Sequence, residues 1–194
     1  FSKNQRDDIH NLTYVCDEEK SFISLSATLL PMAIALNYYL DHNPSFIKEI
    51  LMCEEIPCMK SNTVFEIMSG YDNSTASTFL ESTLTESGIA IPIVHDKYAY
   101  CHGRSTISYK NSHSLIYLNT NTKLDQLLLE QLKPYYQQII PLNLKYQDPL
   151  INDFYFTYQS MLLTKELAAF VQEDLAHVQY SPVVKKLYKY KGGM

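Results

Sequence analysis

The sequence of 194 residues has no tryptophan and only five glycines. Neither the G-x-G-x-x-G fingerprint of dinucleotide sites nor the G-x-x-x-x-G-K-[S/T] phosphate loop occurs in it. Both motifs need closely spaced glycines so that the backbone can approach a phosphate group. The shortage of glycine therefore excludes both kinds of loop. The 16 tyrosines that accompany the missing tryptophan identify no ligand by themselves.

Basic residues are too few for a general nucleic-acid binder. Sixteen lysines and arginines stand against 21 aspartates and glutamates, so the net charge is -5. Proteins that bind nucleic acid need a basic face to neutralise the phosphates, and we expect no nucleic-acid partner here. A small anion that is held by helix dipoles and one or two cations remains compatible with this charge.

Long apolar runs and metal-binding cysteine patterns are also missing. Serines, a threonine and a proline interrupt the most apolar stretch, 22–40, so we expect no membrane span. The four cysteines are Cys16, Cys53, Cys58 and Cys101. None of their spacings is that of a zinc site, and we expect reduced thiols in a cytoplasmic protein. Nothing in the sequence indicates a metal ion or an organic cofactor.

Short apolar segments alternate with helical patterns along the chain. We expect strands at 12–15, 64–68, 89–94, 114–118 and 138–142, and helices at 22–39, 44–52, 74–87, 122–135 and 153–172, the last of them amphipathic. This alternation predicts an α/β fold, a doubly wound three-layer α/β/α domain with a parallel sheet. Ligands bind such sheets at the carboxyl ends of the strands, which here precede 70–75, His95 and 119–122.

The turn Ser-Gly-Tyr-Asp-Asn-Ser-Thr (69–75) is the nearest substitute for a phosphate loop. The hydroxyls of Ser74 and Thr75, together with the first amides of the following helix, could hold a phosphate group. Asn73 or Ser74 could equally form a plain helix cap. Both interpretations fit the spacing.

Glu81 and Glu86 lie five residues apart on the predicted helix 74–87, so they do not share one line of the helix. Glu86 stands near the carboxyl end of the helix, where a negative charge is electrostatically unfavourable. A glutamate in this place could act as a base that moves a proton between adjacent carbons of an open-chain sugar. The alternative is a solvated surface glutamate.

The stretch YAYCHGRSTIS places His102, Gly103 and Arg104 side by side. Imidazole could protonate an oxygen-rich anion and guanidinium could clamp it, with the glycine allowing a sharp backbone turn. His95 could add a polar group at a strand end. The alternative in both places is an ordinary turn. No serine has a nucleophile-elbow context, so a Ser-His-Asp triad is not supported.

Taken together, GYDNSTASTFLESTLTE and IPIVHDKYAYCHGR resemble the second sugar isomerase (SIS) domain of double-SIS proteins, a flavodoxin-like fold. The isomerase half of glucosamine-6-phosphate synthase belongs to this group. Glu86 and His102 match the family's helix glutamate and His-Gly histidine at the expected separation of sixteen residues. EEKSFISLSATLLPMAIAL resembles the end of the first SIS domain, and DLAHVQYSPVVKKLYKY resembles the C-terminal tail.

The resemblance implies a division of the chain into four parts. Residues 1–52 would end a first SIS domain, 53–62 would be a linker, 63–173 would form the second SIS domain, and 174–194 would be the tail. The phosphate loop of the first domain would then precede Phe1. We therefore expect the chain to be a segment of a longer polypeptide.

The resemblance also implies roles for individual residues. Glu86 would be the general base of an aldose–ketose proton transfer, and His102 would assist ring opening, often across a subunit boundary. We therefore expect a homodimer or a higher homo-oligomer. The residues expected near the sugar phosphate are Ser24, Ser26, Gly70, Ser74, Thr75, Gly103 and Arg104.

One departure from the family's sequence pattern leaves more than one activity compatible with this chain. The family's enzymes often carry a lysine three residues before the helix glutamate, where this chain has Thr83. We expect a phosphosugar-binding SIS protein that acts as an isomerase or a deaminase/isomerase of sugar or amino-sugar phosphates. The alternatives are a non-catalytic sugar-phosphate-binding regulatory module and a structural dimerisation domain.

Overall fold

A computed structural model describes residues 25–52, 56, 62–179 and 181–183 of the chain. The helices are α1 (Ser26–Tyr39), α2 (Pro44–Ile50), α3 (Ser74–Ser87), α4 (Ser105–Lys110), α5 (Lys123–Leu132) and α6 (Pro149–Val171). The strands are β1 (Val64–Ser69), β2 (Ile91–Asp96), β3 (His113–Asn119) and β4 (Tyr136–Asn143). Helix α4 has no counterpart among the predicted elements, and the strand predicted at 12–15 lies outside the described residues.

The four strands form one open sheet in the order β2-β1-β3-β4, and every neighbouring pair is parallel. The predicted α/β class with a parallel, helix-flanked sheet is confirmed. The chain winds outward from β1 to β2 and then continues on the other side through β3 and β4. The strand order therefore reverses between β1 and β3, and this reversal positions the cleft described below.

Alternate residues of β1 face opposite sides of the sheet, as the period of two requires. Phe65 and Ile67 pack with helices α3 and α6, whereas Met68 packs with α5 and with Tyr100 of the loop that follows β2. Both faces of the sheet are thus covered by helices. This arrangement agrees with three layers and explains why successive residues of β1 and β3 are buried.

Helix α6 departs from its predicted form in two ways. It begins at Pro149 instead of 153, because the Asp148 carboxylate caps it by accepting the N–H groups of Leu150 and Ile151. It is also not amphipathic. One side packs on the sheet and α3, and another side packs on α1 and α2, so most of its length is buried. Among the described residues, no helix combines the length and apolarity that a membrane crossing requires.

Strand β2 begins two residues later than predicted, and Gly88 supplies the reason. Its φ of +69° lies in the left-handed region and ends α3. The chain then needs 89–90 to turn back before Ile91 pairs with Val64 of β1. The shift carries His95 from the predicted strand end into the strand itself, where it is fully buried. His95 is the last residue but one of β2 and so lies near the predicted strand end, but its buried side chain does not line the cleft described below.

The left-handed conformation at Gly88 leads to a stability prediction. Because nothing lies within 4 Å of an added Cβ, the cost of Gly88→Ala comes from the backbone alone. We expect it to lower the free energy of unfolding by about 1 kcal/mol in urea titrations. Gly88→Asn should lose less, since asparagine tolerates this conformation. Equal losses in the two variants would contradict the backbone explanation.

Candidate functional site

A cleft of about 240 Å³ opens at the carboxyl edge of the sheet. Its walls come from the segments that follow all four strands, and it lies where the strand order reverses. Open parallel α/β sheets bind their ligands at this position. The polar residues that line the cleft are Asn73, Lys97, Thr120, Thr122, Gln147 and Asn152, together with the acidic Asp72.

Lys97 contributes the only lysine or arginine among the lining residues. Its side chain is 2% exposed, and its Nζ donates to Oδ1 of Asp125 and to Oγ1 of Thr120, each at 2.8 Å. An ammonium group carries three protons. One proton of Lys97 therefore has no acceptor among the described residues. The sequence analysis missed this lysine, although its position directly after a strand was a usable signal.

Asp125 holds Lys97 in place and is itself fully buried. It forms a capping box with Thr122 at the start of α5, and Tyr117 donates its hydroxyl to Oδ1 at 2.7 Å. Burial alone would raise the pKa of Asp125, but the hydrogen bonds from Lys97, Thr122 and Tyr117 hold it well below its usual range. The carboxylate is therefore ionised, and it balances the charge of Lys97.

Gly70 lies beside the lysine for a steric reason. A Cβ added there would stand 2.9 Å from Cε of Lys97, closer than real Cβ atoms approach. Its φ of -93° is open to any residue, so space and not backbone angle requires glycine. Gly70, which the sequence suggested as a ligand-binding residue, does border the cleft.

The amino terminus of α3 is capped by another helix. Helix α3 begins at Ser74, as predicted, but Asn73 makes no side-chain capping bond. Instead, Oδ1 of Asp153 on α6 accepts the N–H of Ala76 at 3.3 Å, and the Thr75 side chain also bonds to Asp153. The expectation that Asn73 or Ser74 caps the helix is therefore wrong. The side chains of Ser74 and Thr75 are exposed at this end.

The carboxylate of Asp153 stands in an environment that opposes its charge. Burial raises the pKa of Asp153, and the negative charge of Asp72 adds to the rise. The bonds from Thr75 and Ala76 act in the opposite direction without cancelling it. Asp153 thus fills, with the protein's own carboxylate, the place where the sequence suggested a phosphate group.

Glu86 and His102 are not brought together within one chain. Glu86 is exposed in the last turn of α3, where it accepts a hydrogen bond from Ser82 at 3.0 Å. That turn leads into the amino end of β2, whereas the exposed His102 lies on the loop after its carboxyl end. A helix of 14 residues such as α3 is about 21 Å long. Glu86 therefore lies at the end of α3 opposite the cleft.

The other predicted site residues are spread along the chain. Gly103 adopts a φ of +98°, which confirms that a glycine is needed for the turn after His102. Arg104 is exposed at the start of α4. Ser24 lies outside the described residues, and of Ser26 only the backbone, at the start of α1, is described.

A second polar cluster surrounds Glu66 in the middle of β1, on the face covered by α5. The carboxylate is fully buried and accepts four hydrogen bonds, from His95 Nε2 (2.9 Å), Ser108 Oγ (2.6 Å), His113 Nδ1 (2.8 Å) and the Tyr136 hydroxyl (2.8 Å). Burial alone would raise the pKa of Glu66, but these bonds hold it at about 2. A glutamate inside an apolar strand was the sequence signal for this cluster.

Two further findings concern metal ions and thiols. Among the described residues, no three His, Cys, Asp or Glu side chains are grouped so that they could hold a metal ion. Cys101 is exposed and unpaired, and the other three cysteines lie outside the described residues.

No protein-family model matches the chain, and no curated protein matches it. The SIS resemblance therefore stays a prediction.

The Glu66 cluster leads to a prediction about pH and stability. Because the pKa of Glu66 falls from 4.5 to about 2 on folding, its ionised form stabilises the fold above pH 4.5. We expect Glu66→Gln to lower the free energy of unfolding at pH 7 by about 3 kcal/mol. The difference between the two proteins should shrink as the pH falls from 4.5 toward 2.

Urea unfolding at pH 7 and at about pH 3 measures this difference. Glu81→Gln, a change of a carboxylate on the solvent side of α3, serves as the control and should leave stability nearly unchanged at both values. A Glu66→Gln loss of the same size at both pH values would contradict the assigned role.

Proposed function

We propose that this chain is a sugar-phosphate-binding protein of the SIS type and that the cleft at the carboxyl edge of the sheet binds the sugar. One observation carries the proposal. Three side chains that line the cleft, Asn73, Lys97 and Asn152, are each at most 3% exposed and each have hydrogen-bonding capacity that the described residues do not use. The parallel sheet and the SIS resemblance support it.

The two asparagines show this unused capacity most clearly. The side chain of Asn73 makes no hydrogen bond within the described residues. Asn152 accepts the backbone N–H of Lys145 through Oδ1 at 3.3 Å, and its amide nitrogen has no partner there. Both amide groups border the cleft and are open to a ligand there. A ligand rich in hydroxyl groups would satisfy them.

The mouth of the cleft carries two exposed aromatic rings. Tyr71 is 85% exposed and Tyr98 is 63% exposed, and both belong to the lining. Ligand sites typically combine aromatic walls with a few convergent polar groups. Rings at the mouth above buried amide and ammonium donors suit a sugar, which has apolar faces and a polar rim.

Catalysis would also need residues that do not line the cleft. In the proposed aldose–ketose or amino-sugar reaction, Glu86 moves the proton and His102 assists ring opening. Because Glu86 lies at the carboxyl end of α3 and His102 lies on the loop after β2, the active site of the proposed enzyme is formed between copies of the chain, as a homodimer or a higher oligomer. Residues 1–52 would complete a preceding SIS domain, and 53–62 would connect it to the second.

The non-catalytic alternative rests on the separation between Glu86 and the cleft. Glu86 has a single hydrogen-bond partner among the described residues, Ser82, and lies away from the cleft. A cleft that binds sugar phosphate without a general base would make the chain a regulatory sensor. A purely structural dimerisation domain, by contrast, would bind no sugar phosphate at all.

Ligand binding is predicted to raise the melting temperature. We expect at least one hexose or amino-sugar phosphate to stabilise the fold by about 2.7 kcal/mol at 100 times its Kd. Asn73→Ala removes no internal hydrogen bond, so it should fold normally and bind more weakly. Gln131→Ala, which changes an exposed amide on α5, is the matched control. A panel of sugar phosphates without any shift would refute the proposed function and favour the structural alternative.

Turnover is predicted to depend on Glu86. Glu86→Gln should lower kcat about 10² to 10⁴-fold, the usual contribution of a general base, and should leave the thermal shift unchanged. Glu81→Gln on the same helix is the control and should keep full activity. Isomer interconversion followed by NMR measures both. Equal activity of the two variants would remove Glu86 from the mechanism, and binding without turnover in the unaltered protein would establish the sensor.

A further inference from the structure

The amino terminus of α3 is an anion-binding position that the protein itself occupies. Unpaired N–H groups and the helix dipole attract negative charge at such an end. Here Oδ1 of Asp153 accepts the N–H of Ala76 at 3.3 Å, and the Thr75 side chain bonds to the same carboxylate. A phosphate group could use these donors only after displacing Asp153.

Asp153 is firmly held where it stands. It belongs to the first turns of α6, and its backbone carbonyl accepts the hydroxyl of Thr157 at 2.8 Å. Helices α3 and α6 pack together against the sheet through Leu80, Leu84 and Leu163, which are fully buried. The backbone at Asp153 is therefore held by the packing of α6 on α3, and the half-buried carboxylate reaches the amino end of α3.

The charges around the cleft also disfavour a phosphate group. Lys97 and Asp72 are the charged residues among those that line it. The charge of Lys97 is already balanced by the buried Asp125 at 2.8 Å. A phosphate dianion in the cleft would therefore face the acidic Asp72 without a free cation among the lining residues. Like charges brought together in this way cost several kilocalories per mole.

The unused groups in the cleft suit a neutral partner instead. The third ammonium proton of Lys97 and the amide of Asn152 are donors, and the amide of Asn73 offers both a donor and an acceptor. Hydroxyl groups accept and donate, so several hydroxyls on one carbon chain pair with this set. No net charge is needed on the ligand.

Resting on the proposed function, we infer that the cleft binds the hydroxyl-bearing end of the sugar phosphate and keeps the phosphate group outside, with Asp153 and Asp72 setting this orientation. The sugar enters first, against Lys97, Asn73 and Asn152. The phosphate group projects past Tyr71 and Tyr98 at the mouth. Asp153 is a specificity-determining residue because it occupies the amino terminus of α3, whose N–H groups would otherwise attract the phosphate.

The first test compares three probes on the unaltered chain by calorimetry: a sugar phosphate that binds, its free sugar, and inorganic phosphate. We expect the free sugar to keep an affinity within about tenfold of the phosphate ester. Inorganic phosphate should not compete with the ester even at about 100 times the ester's Kd. Competition by inorganic phosphate, or loss of all binding by the free sugar, would overturn the inference while the proposed function survives.

The second test uses Asp153→Asn, whose amide oxygen can still accept the Ala76 N–H while the charge is gone. Removing this like charge should raise the affinity for the phosphate ester relative to the free sugar by at least about tenfold. Asp174→Asn is the matched control, because Asp174 also accepts a backbone N–H, from Ala176, and belongs to none of the segments that line the cleft. An unchanged ratio for Asp153→Asn would overturn the role of this residue.

A different result would separate the two proposals. If neither sugar phosphates nor free sugars bind the unaltered chain, the proposed function fails and the inference fails with it. If both bind, but the cleft does not prefer the hydroxyl-bearing end of the sugar to the phosphate group, the proposed function stands and the inference fails.

Discussion

The buried carboxylate of Glu66 is the constraint on which much of this fold depends. It sits in the middle of β1, and it accepts hydrogen bonds from side chains of β2, β3, β4 and α4. A buried charge is tolerated only when its hydrogen bonds are complete, so all four strands and the short helix must reach their places together. The cluster thereby links β1 to each of the other three strands and to α4.

The cleft depends on a second buried charge at the other end of the same sheet. Lys97 follows β2 and Asp125 begins α5, and their ion pair spans the point where the strand order reverses. The pair places an ammonium group at the floor of the cleft while it cancels its net charge. A site of this kind offers hydrogen bonds without long-range attraction for anions, and this difference separates binding of a hydroxyl-bearing ligand from binding of phosphate.

The comparison of prediction and structure shows which signals are local. The bounds of α3 were predicted at both ends, because a polar turn precedes the helix and Gly88 follows it. Helix α4 was missed because its six residues carry no helical periodicity, and its buried Ser108 is held by contacts with Glu66 and Tyr100. The site was predicted less well. Gly70 does border the cleft, whereas Lys97, Asn152 and Asp153 were not considered. The partners of Lys97 and Asp153 lie 28 and 77 residues away in the sequence.

The sequence by itself determined the α/β class, the parallel sheet and the exclusion of glycine-rich phosphate loops, because periodicity, turn residues and composition act over a few neighbouring residues. It also provided the resemblance from which Glu86 and His102 were chosen. Only the tertiary structure decided that Glu86 lies at the end of α3 opposite the cleft, away from His102 on the loop after β2, and that His95 is buried against Glu66. The cap of α3 was decided in the same way, because Asp153 is 77 residues from Ala76. Charged groups and helix ends acquire their partners when helices and strands pack together, and no local sequence pattern indicates which distant carboxylate the partner will be.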